Sequence, residues 1–386
     1  MNRNSKNWIC IAHNYTEAGF ASMSFYLSDF LAKNGYNVLF ISHQPKFEVP
    51  LKISRSKGEI HVYSWPSKNR PSDLRSFFWF AKIFRIYRPS TVIGHFAGTN
   101  ITAIVSKILS LGKTRTLIYY HTLSKQIRLD KRDNKWQSFL NIRKKFFYRL
   151  FCDTIICPSL LAMRDFNQNF IREGIGTRCE IILNPLSDRY SDGRERITNS
   201  ENIIISYLGR LEPSKGVLQL VDSFLKFEQK TKTKIMLQIA GGGFLCNEIK
   251  ERVDKSSNCK YFGSLRYNMV DSYIRESDYV IIPSLFDNLP TVGIESLMNG
   301  VPLLLSNKTG LAEMIQDSKS TLLFDPDETG LFKAFKWAEE NISNSEKLEN
   351  AARETYLEKF TLESYFNNIL ELLNKELMNH TDSKTY

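Results

Sequence analysis

Short apolar runs alternate with stretches of helical periodicity along this chain, and the alternation runs through twice. In the first pass, residues 8–13 read as a strand, and Phe20, Met23, Leu27, Phe30 and Leu31 then fall at helical spacing until Gly35 stops them. Residues 37–42, 91–95, 117–121, 154–157 and 180–183 read as further strands. The stretch 187–202 is polar and charged with no apolar period, which marks a linker. The second pass has strands at 203–208, 234–240, 279–283 and 302–305, a helix over 217–227, and helical sequence from about 345 to 378. Strands separated by helices pair in parallel and carry helices on both sheet faces. An α/β protein of two Rossmann-like domains with parallel sheets, facing each other across a cleft, is therefore predicted. The boundaries fall at 1–186 for the first domain, 187–202 for the linker and 203–360 for the second domain. A C-terminal helix with a polar tail, 361–386, is expected to pack back on the first domain.

Charge distinguishes the two halves. Residues 1–190 carry 29 Lys and Arg against 12 Asp and Glu, whereas 191–386 carry 23 against 29, so the net charge of +11 belongs to the first half alone. Such asymmetry points to an anionic partner for that half: a membrane, a phosphorylated acceptor or a nucleic acid. No recognised RNA or DNA motif accompanies the charge, so no nucleic acid is expected. The six cysteines form no Cys-x-x-Cys pair and read as free thiols of a reducing compartment. The apolar run at 8–12 is too short for a signal peptide, and no run is long enough to span a bilayer. A cytoplasmic protein is expected, with peripheral binding to the inner face of the cell membrane as an option.

Ligands of doubly wound sheets bind beyond the carboxyl ends of the strands, and several segments fall there. Gly19, in Tyr15-Thr16-Glu17-Ala18-Gly19-Phe20, lets backbone approach a phosphate at a helix start, or simply makes a tight turn. Arg210 and Lys215 flank the turn in Gly209-Arg210-Leu211-Glu212-Pro213-Ser214-Lys215-Gly216, which suits a diphosphate or a solvated basic loop. In the segment 283–302, Asp287 precedes a helix expected to start near Thr291, and Glu295 lies about a turn inside it. Both carboxylates can serve sugar hydroxyls; alternatively Asp287 caps the helix and Glu295 faces solvent. His95 and His121 stand at strand ends, as site residues or as satisfied structural ones. Lys131, Arg132, Lys135, Trp136, Arg143, Lys144 and Lys145 belong to a basic, aromatic segment, 125–149. It suits an anionic membrane or acceptor surface, or packs its aromatics in the core and leaves its cations in water.

Taken together and in this order, these loops resemble the retaining glycosyltransferases of family four, with the GT-B fold. The likeness is strongest over 203–325, through Gly209-Arg210-Leu211, Lys215-Gly216, Ala240-Gly241-Gly242-Gly243, Phe262-Gly263, Glu295-Ser296-Leu297-Met298-Asn299-Gly300-Val301-Pro302 and Thr309-Gly310-Leu311-Ala312-Glu313. Two acidic residues eight positions apart match the family pattern at 287 and 295, although the first is Asp where the family usually has Glu. Ala18-Gly19 stands where the family usually has Gly-Gly. The resemblance implies that Arg210 and Lys215 hold the diphosphate of a UDP- or GDP-sugar donor, with Gly19 approaching from the other domain. Glu295 would bind the ribose, Asp287 and the backbone of Asn288, Leu289, Pro290 and Thr291 the donor sugar and phosphate, and His121 would lie near the reacting sugar, so that His121 and Asp287 are the catalytic candidates. No cofactor and no metal are expected, and Asp325-Pro326-Asp327 reads as a turn and helix cap. The expected acceptor is a hydroxyl on a glycan, lipid-linked or part of a surface polysaccharide. The alternatives are a nucleotide-sugar epimerase or phosphorylase on the same fold, or a non-catalytic membrane or nucleic-acid binding protein.

Overall fold

The structure, a computed structural model, describes residues 7–13, 22–43, 49–67, 71–96, 99–130, 135–171, 177–190, 202–231, 234–316 and 318–382, with the helical backbone alone at 135–141 and 376–382. Eight strands make the first sheet: β1 (Trp8–Ala12), β2 (Asn37–Ser42), β3 (Leu51–Ser54), β4 (Glu59–Ser64), β5 (Thr91–Gly94), β6 (Arg115–Tyr119), β7 (Thr154–Cys157) and β8 (Arg178–Ile181). Their order is β3-β4-β2-β1-β5-β6-β7-β8, parallel throughout except for the antiparallel β3–β4 pair. Six strands make the second: β9 (Ile203–Leu208), β10 (Ile235–Ala240), β11 (Cys259–Tyr261), β12 (Tyr279–Ile282), β13 (Leu303–Ser306) and β14 (Thr321–Phe324). They run parallel in the order β11-β10-β9-β12-β13-β14. Every residue of β1, β2, β5, β12 and β13 is buried. Helices cover both faces of such strands, so they read in sequence as unbroken apolar runs instead of alternating ones.

Four strands escape the sequence reading: β3, β4, β11 and β14. β3 and β11 are edge strands of four and three residues, and β3 alternates half-buried with exposed positions, so it carries no apolar run. The predicted strands at 8–13, 91–95 and 117–121 also stop earlier, at Ala12, Gly94 and Tyr119. His13, His95 and His121 therefore sit just past the carboxyl ends of β1, β5 and β6, which are neighbours in the sheet.

The closing helical region is two helices, Ser345–Lys359 and Leu362–Asp382. Between them the chain changes partner. Tyr356 and Phe360 pack with Leu186, Leu297 and Met298 under the second sheet. Tyr365, Ile369, Leu372 and Leu373 are buried against Ile9, Leu27, Leu31 and Phe40 of the first. Each such side chain, if fully buried, contributes on the order of 1.5–3 kcal/mol. The Tyr365 hydroxyl also meets that of Tyr119 at 2.8 Å. Of the stretch read as a linker, 191–201 lie outside the described residues, as does Gly19.

Candidate active site

The site is assembled from loops at the carboxyl ends of both sheets. After β9 the chain passes Gly209 and Arg210 into a single 3-10 turn, Pro213–Lys215. Gly216 follows with φ +66°, and a Cβ there would lie 2.1 Å from the carbonyl oxygen of Pro283. Only glycine lets this turn seat against the end of β12. The seat is fixed further by Leu285, whose N–H donates to the Ser214 carbonyl at 2.9 Å. Lys215 is thus aimed at Asp287, its Nζ donating to Oδ2 at 2.5 Å, with both side chains largely buried.

Asp287 does not cap the following helix. Its Oδ1 accepts from the N–H of Asn288 at 2.9 Å, and its backbone bridges to Lys308, Thr309 and Gly310. The helix Thr291–Met298 begins after Pro290 with no side-chain cap, so its first turn opens toward the cleft. Glu295 is not a solvated helix residue either: it is 7% exposed, and burial pushes its carboxyl up to about 7.

Asn288 ties the two halves together. Its Nδ2 donates to the carbonyl of His121 at 2.8 Å, and its Oδ1 accepts from the Ser159 hydroxyl at 2.6 Å. Ser159 in turn caps the helix Leu160–Phe170. Gly310 permits this approach, because a Cβ there would lie 2.3 Å from the Asn288 carbonyl oxygen and 2.4 Å from Ser159 Oγ. Arg164 pairs with Glu313 nearby, and Lys125 stands over the ring of Phe286, 4.7 Å from its centroid.

The three strand-end histidines form a column in which His13 and His95 are buried and His121 is half-buried. His13 stacks on His95 at 4.3 Å between ring centroids, and His95 Nδ1 meets His121 Nε2 at 3.0 Å. Phe96 stacks on the outer face of His121 at 4.3 Å. Burial lowers the pKa of all three, His13 to about 3 and the others well below the ordinary histidine value. Each lowering favours the neutral ring, and between neutral His95 and His121 rings one donates and the other accepts.

The residues singled out from sequence converge. His121, Arg210, Lys215, Asp287, Asn288, Leu289, Pro290 and Thr291 line one cavity of about 370 Å³ between the sheets. Glu295 joins Arg210, Lys215, Asp287, Pro290 and Thr291 around a second, of about 360 Å³, that continues it. Sequence reading missed Phe96, Thr122, Gln126 and Asn184, which complete the first wall. Asn184 lies three residues past β8, so the strand-end rule was the signal available for it. From His121, Phe96 and Thr122 a third space, a groove of about 740 Å³, runs beneath the helix Lys135–Phe151. Tyr119, Tyr120, Phe146 and Phe147 give it apolar walls, and Arg143 and Lys144 add two cations. On that helix Phe147 and Tyr148 pack inward, whereas Ile142, Phe146 and Leu150 form an exposed stripe at intervals of four beside Arg143, Lys145 and Arg149. The helix thus packs some of its aromatics inward and leaves Ile142, Phe146 and Leu150 exposed among its cations. Lys131 and Arg132 lie outside the described residues, as do the side chains of Lys135 and Trp136.

Among the described residues no group of three or more His, Cys, Asp or Glu is arranged to hold a metal ion. Asp327 caps the helix Glu328–Asn341, its Oδ1 accepting from the Gly330 N–H at 2.7 Å.

Two Rossmann-like sheets that meet at a cleft lined by Arg210 and Lys215 beyond their carboxyl ends are the GT-B architecture. Residues 19–187 match the model for Glycosyltransferase Family 4 and residues 191–355 that for Glycosyl transferases group 1. The chain belongs to glycosyltransferase family 4: it is a glycosyltransferase that uses a nucleotide-sugar donor. It is 24% identical over 287 residues to a GalNAc-alpha-(1->4)-GalNAc-alpha-(1->3)-diNAcBac-PP-undecaprenol alpha-1,4-N-acetyl-D-galactosaminyltransferase of Campylobacter jejuni, covering 73% of this chain and 74% of that one. Its fold matches a sucrose-phosphate synthase of Thermosynechococcus elongatus with a TM-score of 0.74 at 16% identity, over 97% of this chain and all of that one. It also matches HepE of Anabaena in complex with UDP-glucose, with a TM-score of 0.69 at 12% identity over 95% and 99% of the two chains.

Proposed function

We propose that this enzyme moves a sugar, with retention of anomeric configuration, from a UDP- or GDP-sugar to a hydroxyl of a lipid-linked glycan at an anionic membrane surface. The observation that carries the donor half is the meeting of Arg210, Lys215, Asp287 and His121 on one interdomain cleft. Arg210 and Lys215 hold the diphosphate. Glu295 accepts from the ribose hydroxyls. Asp287 and the backbone from Asn288 to Thr291 hold the sugar and the phosphate next to it. As donor binds, its diphosphate competes with Asp287 for the Lys215 ammonium and frees that carboxylate for a sugar hydroxyl.

Reaction follows from this placement. The acceptor oxygen bonds to the anomeric carbon as the bond from that carbon to the phosphate oxygen breaks. The electron pair leaves with the diphosphate, where the two cations and the helix start stabilise it. The acceptor proton passes to the departing phosphate oxygen on the same face. His121 is neutral and serves as a hydrogen-bonding wall for the sugar. Closure over the cleft excludes water, which would otherwise take the acceptor's place.

The acceptor half rests on the groove beneath the helix Lys135–Phe151. Its apolar aromatic walls suit a lipid chain, and Arg143 and Lys144 suit the phosphates that join lipid to glycan. The exposed stripe of Ile142, Phe146 and Leu150 among cations suits the headgroup layer of a membrane. No described helix is long and apolar enough to cross one. The Campylobacter relative, whose name describes a PP-undecaprenol acceptor, supports the same reading. Incubation with UDP- or GDP-hexoses and an undecaprenyl diphosphate-linked glycan should give an α-linked product from an α-linked donor, read by NMR. Donor turnover without any acceptor would favour an epimerase, and an inverted linkage would refute retention.

A further inference from the structure

Arg189 lies on the stretch where the chain passes from one sheet to the other, and its surroundings hold it in a fixed place. Leu186 before it is anchored at both ends: its N–H donates to the Phe360 carbonyl at 2.9 Å, and its carbonyl accepts from the Tyr356 hydroxyl at 2.9 Å. Asp188 forms a two-point pair with Arg353, at 2.9 and 2.5 Å, and Arg353 also donates to the Met298 carbonyl at 3.0 Å. The guanidinium of Arg189 then lies over the Tyr267 ring, 5.2 Å from its centroid. It forks onto Asp271, Nε to Oδ2 at 2.8 Å and Nη2 to Oδ1 at 3.0 Å. The same Nη2 stands 3.6 Å from Oε1 of Glu295. Asn299 braces the far side, its Nδ2 donating to Asp271 Oδ1 at 3.0 Å and to the Glu295 carbonyl at 2.9 Å.

From this geometry we infer that Arg189 is a positioning residue of the donor site, which reaches in from the interdomain passage to orient the Glu295 carboxylate and keep it charged for the ribose. The inference rests on the ribose role proposed above for Glu295. A carboxylate accepts from both hydroxyls of a ribose only while ionised; protonation turns one oxygen into a donor. Burial pushes Glu295 up toward neutrality, Asp271 adds a like charge, and Arg189 opposes both. The other charged and titratable groups around the same cavity are Tyr207, Arg210, Lys215, Tyr267 and Asp287. Lys215 is engaged with Asp287, and Arg353 behind the helix with Asp188, so the ion pair Glu295 makes among the described residues is with Arg189. The sign follows. Without the guanidinium the Glu295 pKa rises further, more of it is protonated at neutral pH, and nucleotide binding weakens as pH falls through a higher value than in the unaltered protein.

Binding of UDP, GDP and ADP, which share the ribose, tests this by calorimetry on the full chain between about pH 6 and 9. The unaltered protein should bind at least one of them. Arg189→Gln, which retains hydrogen bonding to Asp271 without the charge, should bind that nucleotide about tenfold more weakly at pH 7, with the deficit closing toward pH 9. Arg189→Lys should recover most of the loss. In a Glu295→Gln background, Arg189→Gln should add nothing. A deficit equal at every pH, no deficit, or an added loss in the Glu295→Gln background overturns the inference. The ribose assignment itself falls if Glu295→Gln alone binds as tightly as the unaltered protein, or if none of the three nucleotides binds at all. If Glu295→Gln weakens binding and Arg189→Gln does not, only the role of Arg189 falls.

Discussion

Lys215 carries the most specific claim at the level of single residues. Its Nζ is 2.5 Å from Asp287 in a largely buried pair, so its deletion has both a structural and a chemical consequence. Loss of one charge-assisted contact to a diphosphate costs about 1.5–3 kcal/mol, and therefore roughly 10- to 100-fold in kcat/KM for Lys215→Ala. Removing one partner of a buried pair also leaves the other charge uncompensated. The double change Lys215→Ala with Asp287→Asn separates the two effects. Thermal unfolding should return toward that of the unaltered protein while transfer falls below that of Asp287→Asn alone, and transfer equal to that of Asp287→Asn alone would make Lys215 a purely structural residue. The positions of such residues at strand ends and helix starts were legible from the alternation of elements, whereas the roles expected of them came from the family resemblance. Their partners were not legible. Nothing local says that Asp287 spends its carboxylate on a lysine 72 positions earlier, or that Glu295 is buried beside Arg189.

Among elements, the helix Lys135–Phe151 shows how one segment answers two sequence readings. Phe147 and Tyr148 pack into the first domain's core, and Tyr148 meets Phe166 and Phe170 edge-on. One residue earlier and two later, Phe146 and Leu150 are 61% and 60% exposed. Composition cannot say which aromatics enter the core when a helix has aromatics on two faces; the phase of the helix shows which are buried and which are exposed. Replacing Arg143, Lys144 and Lys145 together by Gln should weaken binding to vesicles rich in anionic lipid, by about 1 kcal/mol for each charge that lies near the surface. Flotation or sedimentation with phosphatidylglycerol vesicles measures this. Equal binding of variant and unaltered protein would return the helix to a solvated face. Strand pairing shows a related limit. Central strands such as β1 and β12 announce themselves as apolar runs, whereas β3 and β11 at the edges hold too few apolar residues to do so.

For the whole molecule, the doubled α/β plan and its cleft were legible because parallel pairing follows from strands that alternate with helices. The contacts that close the cleft were not. Asn288 was singled out for its backbone, yet its side chain bridges His121 and Ser159 across the cleft. The helical pattern runs unbroken from about 345 to 378, so the expected boundary at 360/361, before a C-terminal helix packing back on the first domain, carried no account of the contacts made on either side of the break between Lys359 and Leu362. Both features matter for function, since they set how the two domains meet over a donor. The central claim is that this cleft binds a nucleotide sugar, and a donor that binds the folded chain alone must stabilise it by mass action. Thermal unfolding with UDP, GDP, ADP and their hexose conjugates measures this directly. At about one hundred times Kd, one nucleotide family should stabilise the protein by about 2.7 kcal/mol, raising Tm by a few degrees, and Glu295→Gln should lose that shift. An unchanged Tm with every nucleotide and nucleotide sugar at millimolar concentration would contradict the account.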